Sequence, residues 1–225
     1  MRLPRRPFSE DRLIAVFASR YPTPFLRSYA RVKIATDPVY AAVFDLLRDS
    51  TEPLLDIGCG VGVLALYLRE RGFRGSIHGI DHDERKIAVA RKVVGADESL
   101  LLSVGDARTP PAFRGNVLLL DVLHYFDDAD QSLILRNAAK AGGMIIIRDA
   151  IRDGSLRYHM TYTQETLARV GGWLKAERLH FPTREAIERS FNSDFREEVR
   201  PMWGRMPFNN YLFVFRRSSS GMTNE

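Results

Sequence analysis

The residues best suited to chemistry lie in the run Leu54-Leu55-Asp56-Ile57-Gly58-Cys59-Gly60-Val61-Gly62, where an acid precedes three glycines at alternate positions. Apolar residues before it, and apolar residues at helical spacing after it, predict a buried strand ending at Asp56-Ile57. A tight turn follows, then a helix from near Val61. Glycine tolerates positive φ and, lacking Cβ, lets a ligand lie against the backbone, so such a turn suits a nucleotide cofactor. The dinucleotide fingerprint G-x-G-x-x-G places a pyrophosphate on the helix N-terminus. Here the third glycine comes one residue early, and the acid stands two residues before the first glycine. That carboxylate would repel a pyrophosphate and suits a ligand carrying an ammonium group. The plainer alternative is a tight turn with no cofactor.

More acids follow at strand ends. Asp81 lies nineteen positions after Gly62, close to the roughly 20-residue interval at which nucleotide-binding sheets place a ribose carboxylate. A carboxylate can accept from two neighbouring hydroxyls at once. The competing role, capping the next helix, is served as well by Asp83. Asp106 follows a third predicted strand, in Gly105-Asp106-Ala107. Asp56, Asp81 and Asp106 therefore share the carboxyl edge of successive strands, where open α/β sheets bind ligands. A fourth apolar run leads through Asp121 to His124 and Tyr125. Histidine titrates near working pH, which makes His124 the leading candidate for a general base, with Tyr125 behind it. The alternative for His124 is a bridge to backbone groups at a loop start.

Asp56-x-Gly58-x-Gly60-x-Gly62 resembles the cofactor loop of the class I S-adenosylmethionine-dependent methyltransferases. The resemblance covers residues 54–215 and is most specific between Asp56 and Asp121. It implies an α/β fold: a Rossmann-like, seven-stranded, mostly parallel sheet with an antiparallel last strand, helices on both faces, and an N-terminal helical cap. It also implies S-adenosylmethionine as cofactor, S-adenosylhomocysteine as product, and no metal. The implied cofactor residues are Asp56, Gly58, Cys59, Gly60 and Gly62 at the loop, Asp81 at the ribose and His82 near the adenine. Asp106 with Ala107 would take the adenine amino group, and Asp121 would line the methionine end. More faintly, Tyr29-Ala30-Arg31-Val32-Lys33, Thr36-Asp37-Pro38-Val39-Tyr40 and Pro207-Phe208-Asn209-Asn210-Tyr211 are similar to the methyltransferases of bacterial aryl-polyene pigment pathways.

Several elements must position these groups. Ser9 and Asp37-Pro38 carry N-cap and first-turn signals, and helices are expected over residues 8–22, 24–34 and 37–47. Residues 1–50 then form a helical cap and 51–217 the core, with residues 218–225 as a polar, frayed tail. Continuous apolar strands alternating with helices indicate a parallel sheet covered on both faces. An insert at 151–181, helical over 163–170, supplies Tyr158, His159, Tyr162 and Trp173. A further helix is expected from a Thr183 cap to about residue 191. Tyr29 and Lys33 on the cap, with Tyr21 and Tyr40, have polar tips that could face the site, as could Asp149 at the end of the fifth strand. Each also has an ordinary packing or surface reading. The resulting expectation is an aromatic-lined pocket for an apolar or aromatic small-molecule acceptor.

Composition sets the outer bounds. The 225 residues, 45% hydrophobic and 27% charged, suit one soluble globular domain. No apolar run reaches membrane-span length, and no signal-peptide pattern follows the basic start, so a cytoplasmic protein is expected. The lone Cys59 agrees with a reducing compartment and is expected to pack beside the cofactor. The net charge of +5 comes from scattered arginines, densest at the two chain ends. Without a patch or stripe, a nucleic-acid partner is not expected. Nucleic-acid or protein methylation, or a non-catalytic role on the same fold, remain the alternatives.

Overall fold

The apolar runs become one sheet in the computed structural model, which describes residues 13, 16, 17, 19–170, 179–203 and 208–218. In chain order the strands are β1 (Leu54–Ile57), β2 (Ile77–Asp81), β3 (Leu100–Val104), β4 (Gly115–Leu120), β5 (Gly142–Ala150), β6 (Phe195–Pro201) and β7 (Asn210–Arg217). Their spatial order is β3-β2-β1-β4-β5-β7-β6. β1 to β5 pair in parallel, while β7 runs antiparallel between β5 and β6. This is the Rossmann-like sheet expected above, antiparallel last strand included.

The largely apolar character of the central strands follows from coverage on both faces. On one side Ile146 and Val214 join Val43, Leu47, Leu64, Leu68 and Ile87. On the other, Val117, Leu119, Ile145 and Ile147 meet Ile134, Leu135 and Ile187. The helices that cover these faces are α1 (Pro24–Thr36), α2 (Val39–Leu47), α3 (Val63–Arg71), α4 (Glu84–Val94), α5 (Asp128–Lys140), α6 (Leu156–Val170) and α7 (Arg184–Glu188). Side-chain caps start several of them: Thr23 for α1, Asp83 for α4, Asp127 for α5 and Thr183 for α7. Among the described residues, no helix is long and apolar enough to cross a membrane.

Several boundaries differ from expectation. α6 begins at Leu156 rather than residue 163, because Ser155 Oγ accepts from the Tyr158 N–H at 3.1 Å and caps the first turn. α7 stops at Glu188, short of residue 191. β4 ends at Leu120, and a single 3-10 turn, Leu123–Tyr125, replaces an extended run into the loop. Of the first expected helix, Leu13, Val16, Phe17, Ser19 and Arg20 are helical. Its other expected positions before residue 19, the arginines Arg2, Arg5 and Arg6, Trp173 and tail residues 219–225 lie outside the described residues.

Candidate active site

The parallel strands β1 to β5 all end on one edge, so their order lays the candidate residues out in a line. Asp106 follows β3, Asp81 ends β2, the glycine loop follows β1, Asp121 and His124 follow β4, and Arg148 and Asp149 lie near the end of β5.

At the middle of the line, the Gly58 and Cys59 N–H groups donate to the Ile80 carbonyl at 2.7 and 3.0 Å, folding the loop onto β2. Gly58 has φ 82°, and a Cβ there would lie 2.4 Å from Val122 Cγ2. Only glycine fits, and the loop therefore presses against the residue beside Asp121. Gly60, at φ 56°, would meet nothing within 4 Å, and its N–H donates to Asp81 Oδ2 at 3.0 Å. The loop is thus a cradle with an open face, which fits a ligand laid along the backbone. Beneath it, Asp56 is 3% exposed. Burial, with the Asp81 charge adding to it, pushes its carboxyl up to about 7. Cys59 is buried and its thiol pushed up by that burial, so it is a packing residue and a poor nucleophile.

Asp81 is also buried; its Oδ1 accepts from the Asp83 N–H at 2.9 Å. The cap of α4 is Asp83, so capping that helix is not the task of Asp81. His82 is exposed, with Nδ1 3.6 Å from Asp81 Oδ1. Asp106 lies further out, gripped by Arg108, whose NH2 stands 2.6 Å from Oδ2 and whose NH1 reaches Asp130 at 3.3 Å. Those hydrogen bonds hold the Asp106 carboxyl below its ordinary range. Ala107 is half-buried against the apolar cluster on the α5 side of the sheet.

Beyond the loop, Asp121 takes φ 57°, unusual for a residue with a Cβ. Its N–H donates to the Arg148 carbonyl at 2.8 Å, and its Oδ2 accepts from Arg148 NH2 at 2.9 Å and Lys33 Nζ at 3.4 Å. Arg148 NH2 also donates to Asp37 Oδ2 at 2.6 Å, while Asp37 Oδ1 accepts from the Val39 N–H. Burial would raise the Asp121 carboxyl, but the charges of Arg148 and Lys33 outweigh it and hold it low. Lys33 on α1, Asp37 at the α1–α2 turn, Asp121 and Arg148 thus form a neutral quartet that ties the N-terminal helices to the edge. A second tie runs from Tyr21 Oη, which donates to the Val61 carbonyl of the glycine loop at 3.2 Å.

At the far end, His124 is 2% exposed, and its Nδ1 donates to Asp149 Oδ1 at 2.6 Å. Asp149 Oδ2 accepts from the Leu123 N–H at 2.9 Å, and Gln131 Nε2 holds the Leu123 and Phe126 carbonyls of the same turn. Aromatic rings surround the imidazole. Phe181 stacks on it at 5.2 Å, Tyr125 lies 4.0 Å away, and Tyr158 and Tyr162 pack on Phe181 at 5.8 and 6.1 Å.

Most expected residues gather on this edge, with two corrections. Asp149 does not face a pocket: it is 0% exposed and its oxygens are taken by His124 and backbone N–H groups. Lys33 points to Asp121 rather than standing apart at an acceptor site. His159 is exposed beside Tyr158, and Tyr29 is half-buried on α1. Sequence reasoning missed Arg148, the ion-pair role of Asp37, and Phe181. A charged residue closing the otherwise apolar run Met144-Ile145-Ile146-Ile147 was the available signal for Arg148.

The methyltransferase-domain family matches residues 54–141, from β1 through α5. Residues 54–141 thus carry a methyltransferase domain, set in the Rossmann-like methyltransferase sheet described above. No curated protein matches it. Solved structures share the methyltransferase fold across nearly the whole chain. Magnesium protoporphyrin IX methyltransferase from Synechocystis PCC 6803 with bound SAH is 19% identical, with 92% of this chain and 94% of that one covered and a TM-score of 0.63. An O-methyltransferase family protein from Burkholderia thailandensis is 20% identical over 90% of this chain and 63% of its own, at a TM-score of 0.66. The PH0226 protein from Pyrococcus horikoshii OT3 is 20% identical over 94% and 100%, at 0.60. S-adenosylmethionine is accordingly the cofactor of this methyltransferase, and the open glycine cradle beside the buried acids suits it.

Proposed function

We propose that this methyltransferase methylates a small, apolar or aromatic acceptor. The observation that carries the reading is the ring cluster of Tyr125, Tyr158, Tyr162 and Phe181 around the His124–Asp149 pair, at the β4–β5 end of the line of acids. An aromatic lining with a few fixed polar groups suits an apolar ligand.

When bound, the cofactor supplies a methyl group on a positively charged sulfur, open to in-line displacement by an acceptor. The chain's residues do the rest. Asp106 accepts from the adenine amino group and Asp81 from the ribose hydroxyls. The Gly58–Gly62 backbone carries the middle of the ligand, and Asp121 lines the methionine end. The N-terminal helices, tied down through Tyr21, Lys33 and Asp37, form the cap that excludes water. Asp149 holds the Nδ1–H of His124, so the neutral ring keeps its basic nitrogen at Nε2. His124 takes the proton of a hydroxyl or phenol acceptor, whereas a carboxylate acceptor needs no base.

Incubating the protein with a metabolite extract and methyl-labelled cofactor, followed by mass spectrometry, tests the reading. It predicts label in a low-mass apolar or aromatic compound. Label confined to the nucleic-acid or protein fraction, or no transfer by protein that binds S-adenosylhomocysteine, would contradict it.

A further inference from the structure

The quartet of Lys33, Asp37, Asp121 and Arg148 contains more charge than a latch needs, and its members are unequal. Arg148 is 4% exposed on its side chain and gives NH2 to both carboxylates at 2.6 and 2.9 Å, the lengths of strong charge-assisted bonds. Lys33 is 31% exposed on its side chain, and its contacts to Asp121 and Asp37 are long, at 3.4 and 3.9 Å. An ammonium has three donors. Lys33 therefore keeps donor capacity at the site, and little is lost when its Nζ turns to another acceptor. Asp121 would still be held by Arg148.

The strand order fixes which part of the cofactor meets this pair. Asp106 and Asp81 lie at the ends of β3 and β2, on one side of the glycine loop, and match the adenine and ribose. Asp121 and Lys33 lie on the other side, next to Val122, the residue against which Gly58 packs. A ligand with its nucleoside over β2 and β3 carries its amino-acid end to this place. That end is a zwitterion, one ammonium and one carboxylate, and the Lys33–Asp121 pair is its charge complement.

We propose that Lys33 is a cofactor-binding residue, reaching from the N-terminal cap to hold the carboxylate of the cofactor's methionine moiety while Asp121, kept in place by Arg148, faces its ammonium. A zwitterion entering a neutral quartet adds no net charge to a buried region, so neither partner is left uncompensated. The cap helix thereby closes on the cofactor itself as well as on the sheet. This inference rests on the cofactor site described above and assigns it one further ligand.

Calorimetry with three probes tests it: S-adenosylhomocysteine, its decarboxylated analogue, and 5′-methylthioadenosine, which keeps the nucleoside and lacks the amino-acid end. Lys33→Met is expected to weaken S-adenosylhomocysteine binding by about 10- to 100-fold, the range of a lost charge-assisted bond. It should leave 5′-methylthioadenosine binding unchanged, and Lys33→Arg should restore part of the loss. On the wild-type protein, removing the ligand carboxylate should cost a similar factor, and Lys33→Met should be blind to that removal. Equal loss for all probes would overturn the proposal in favour of a purely structural lysine, and so would wild-type affinity in Lys33→Met. If that variant does not fold, the wild-type arm still decides: an unchanged affinity for the decarboxylated analogue overturns the proposal, and a loss supports it. Wild-type protein that bound none of the probes would overturn the cofactor reading, a distinguishable failure.

Discussion

Cofactor affinity should rise with pH through neutrality because of Asp56. Its carboxyl is buried under the glycine loop, and burial followed by the Asp81 charge brings it to about 7. A raised folded pKa in an acid means that the free protein holds a proton at pH 6 that the ionised site has lost. The ligand ammonium, settling between Asp121 and the glycine loop that covers Asp56, favours the ionised form, so binding expels that proton. About one-tenth of Asp56 is ionised at pH 6 and about half at pH 7. If the bound site is fully ionised at both, affinity for S-adenosylhomocysteine tightens about five-fold over that single unit, equivalent to about 1 kcal/mol. The window stays below the usual α-amino range of about 7.7–8.0, so the ligand ammonium does not titrate across it. Calorimetry at pH 6 in buffers of different ionisation enthalpy should register about 0.9 protons released per ligand bound. Asp56→Asn should bind with no such pH dependence. The same shift acts in reverse on the free protein: this group's stabilising contribution is complete below its unfolded pKa of about 3.9 and is lost as pH rises through about 7. Asp56→Asn should therefore raise the melting temperature at pH 8 relative to wild type and gain little at pH 4. A flat affinity between pH 6 and 7 with no proton release would refute the reasoning, as would a pH dependence that survives in Asp56→Asn.

Other variants probe the rest of the line. Asp81→Ala should weaken S-adenosylmethionine binding by about 1.5–3 kcal/mol, a lost charge-assisted bond, and calorimetric affinity at wild-type strength would remove it from the ribose. His124→Ala should lower turnover on a hydroxyl acceptor while cofactor affinity stays the same; unchanged turnover would end its role as base. Asp149→Asn, acting through His124, should lower kcat and displace the pH–rate profile, and a profile unchanged in shape would make the pair merely structural. Arg148→Met would leave Asp37 and Asp121 facing each other with Lys33 alone between them. At about 3 kcal/mol for a broken buried pair, the melting temperature should fall by roughly 6–12 °C, and a change within 1–2 °C would refute the quartet's structural weight.

The parts of this molecule legible from sequence were those encoded by local pattern. Strands buried on both faces are largely apolar, so the runs Leu54-Leu55, Val117–Leu120 and Met144–Ile147 within β1, β4 and β5 read as strands. The caps at Asp83 and Thr183 are single-residue signals with a local mechanism, and both act as such. Ser155 is the same kind of signal, but Asp153 and Gly154 before it suggest only a loop. Partner choice across the fold was not legible. Asp37 and Arg148 meet over 111 positions of sequence and His124 and Asp149 over 25, and nothing in residue type says which carboxylate a given cation will find. Asp149 and Asp121 looked alike as acids at strand ends. The structure separates them by burial: one is sealed behind a histidine, the other partly open beside the glycine loop.

A structure of the protein crystallised with S-adenosylhomocysteine tests the account most directly. It predicts the adenine beside Asp106, the ribose hydroxyls on Asp81, the sulfur on the β4 side of the glycine loop, and the amino-acid end between Asp121 and Lys33. A ligand lying in the opposite direction, or bound away from the Gly58–Gly62 loop, would contradict it.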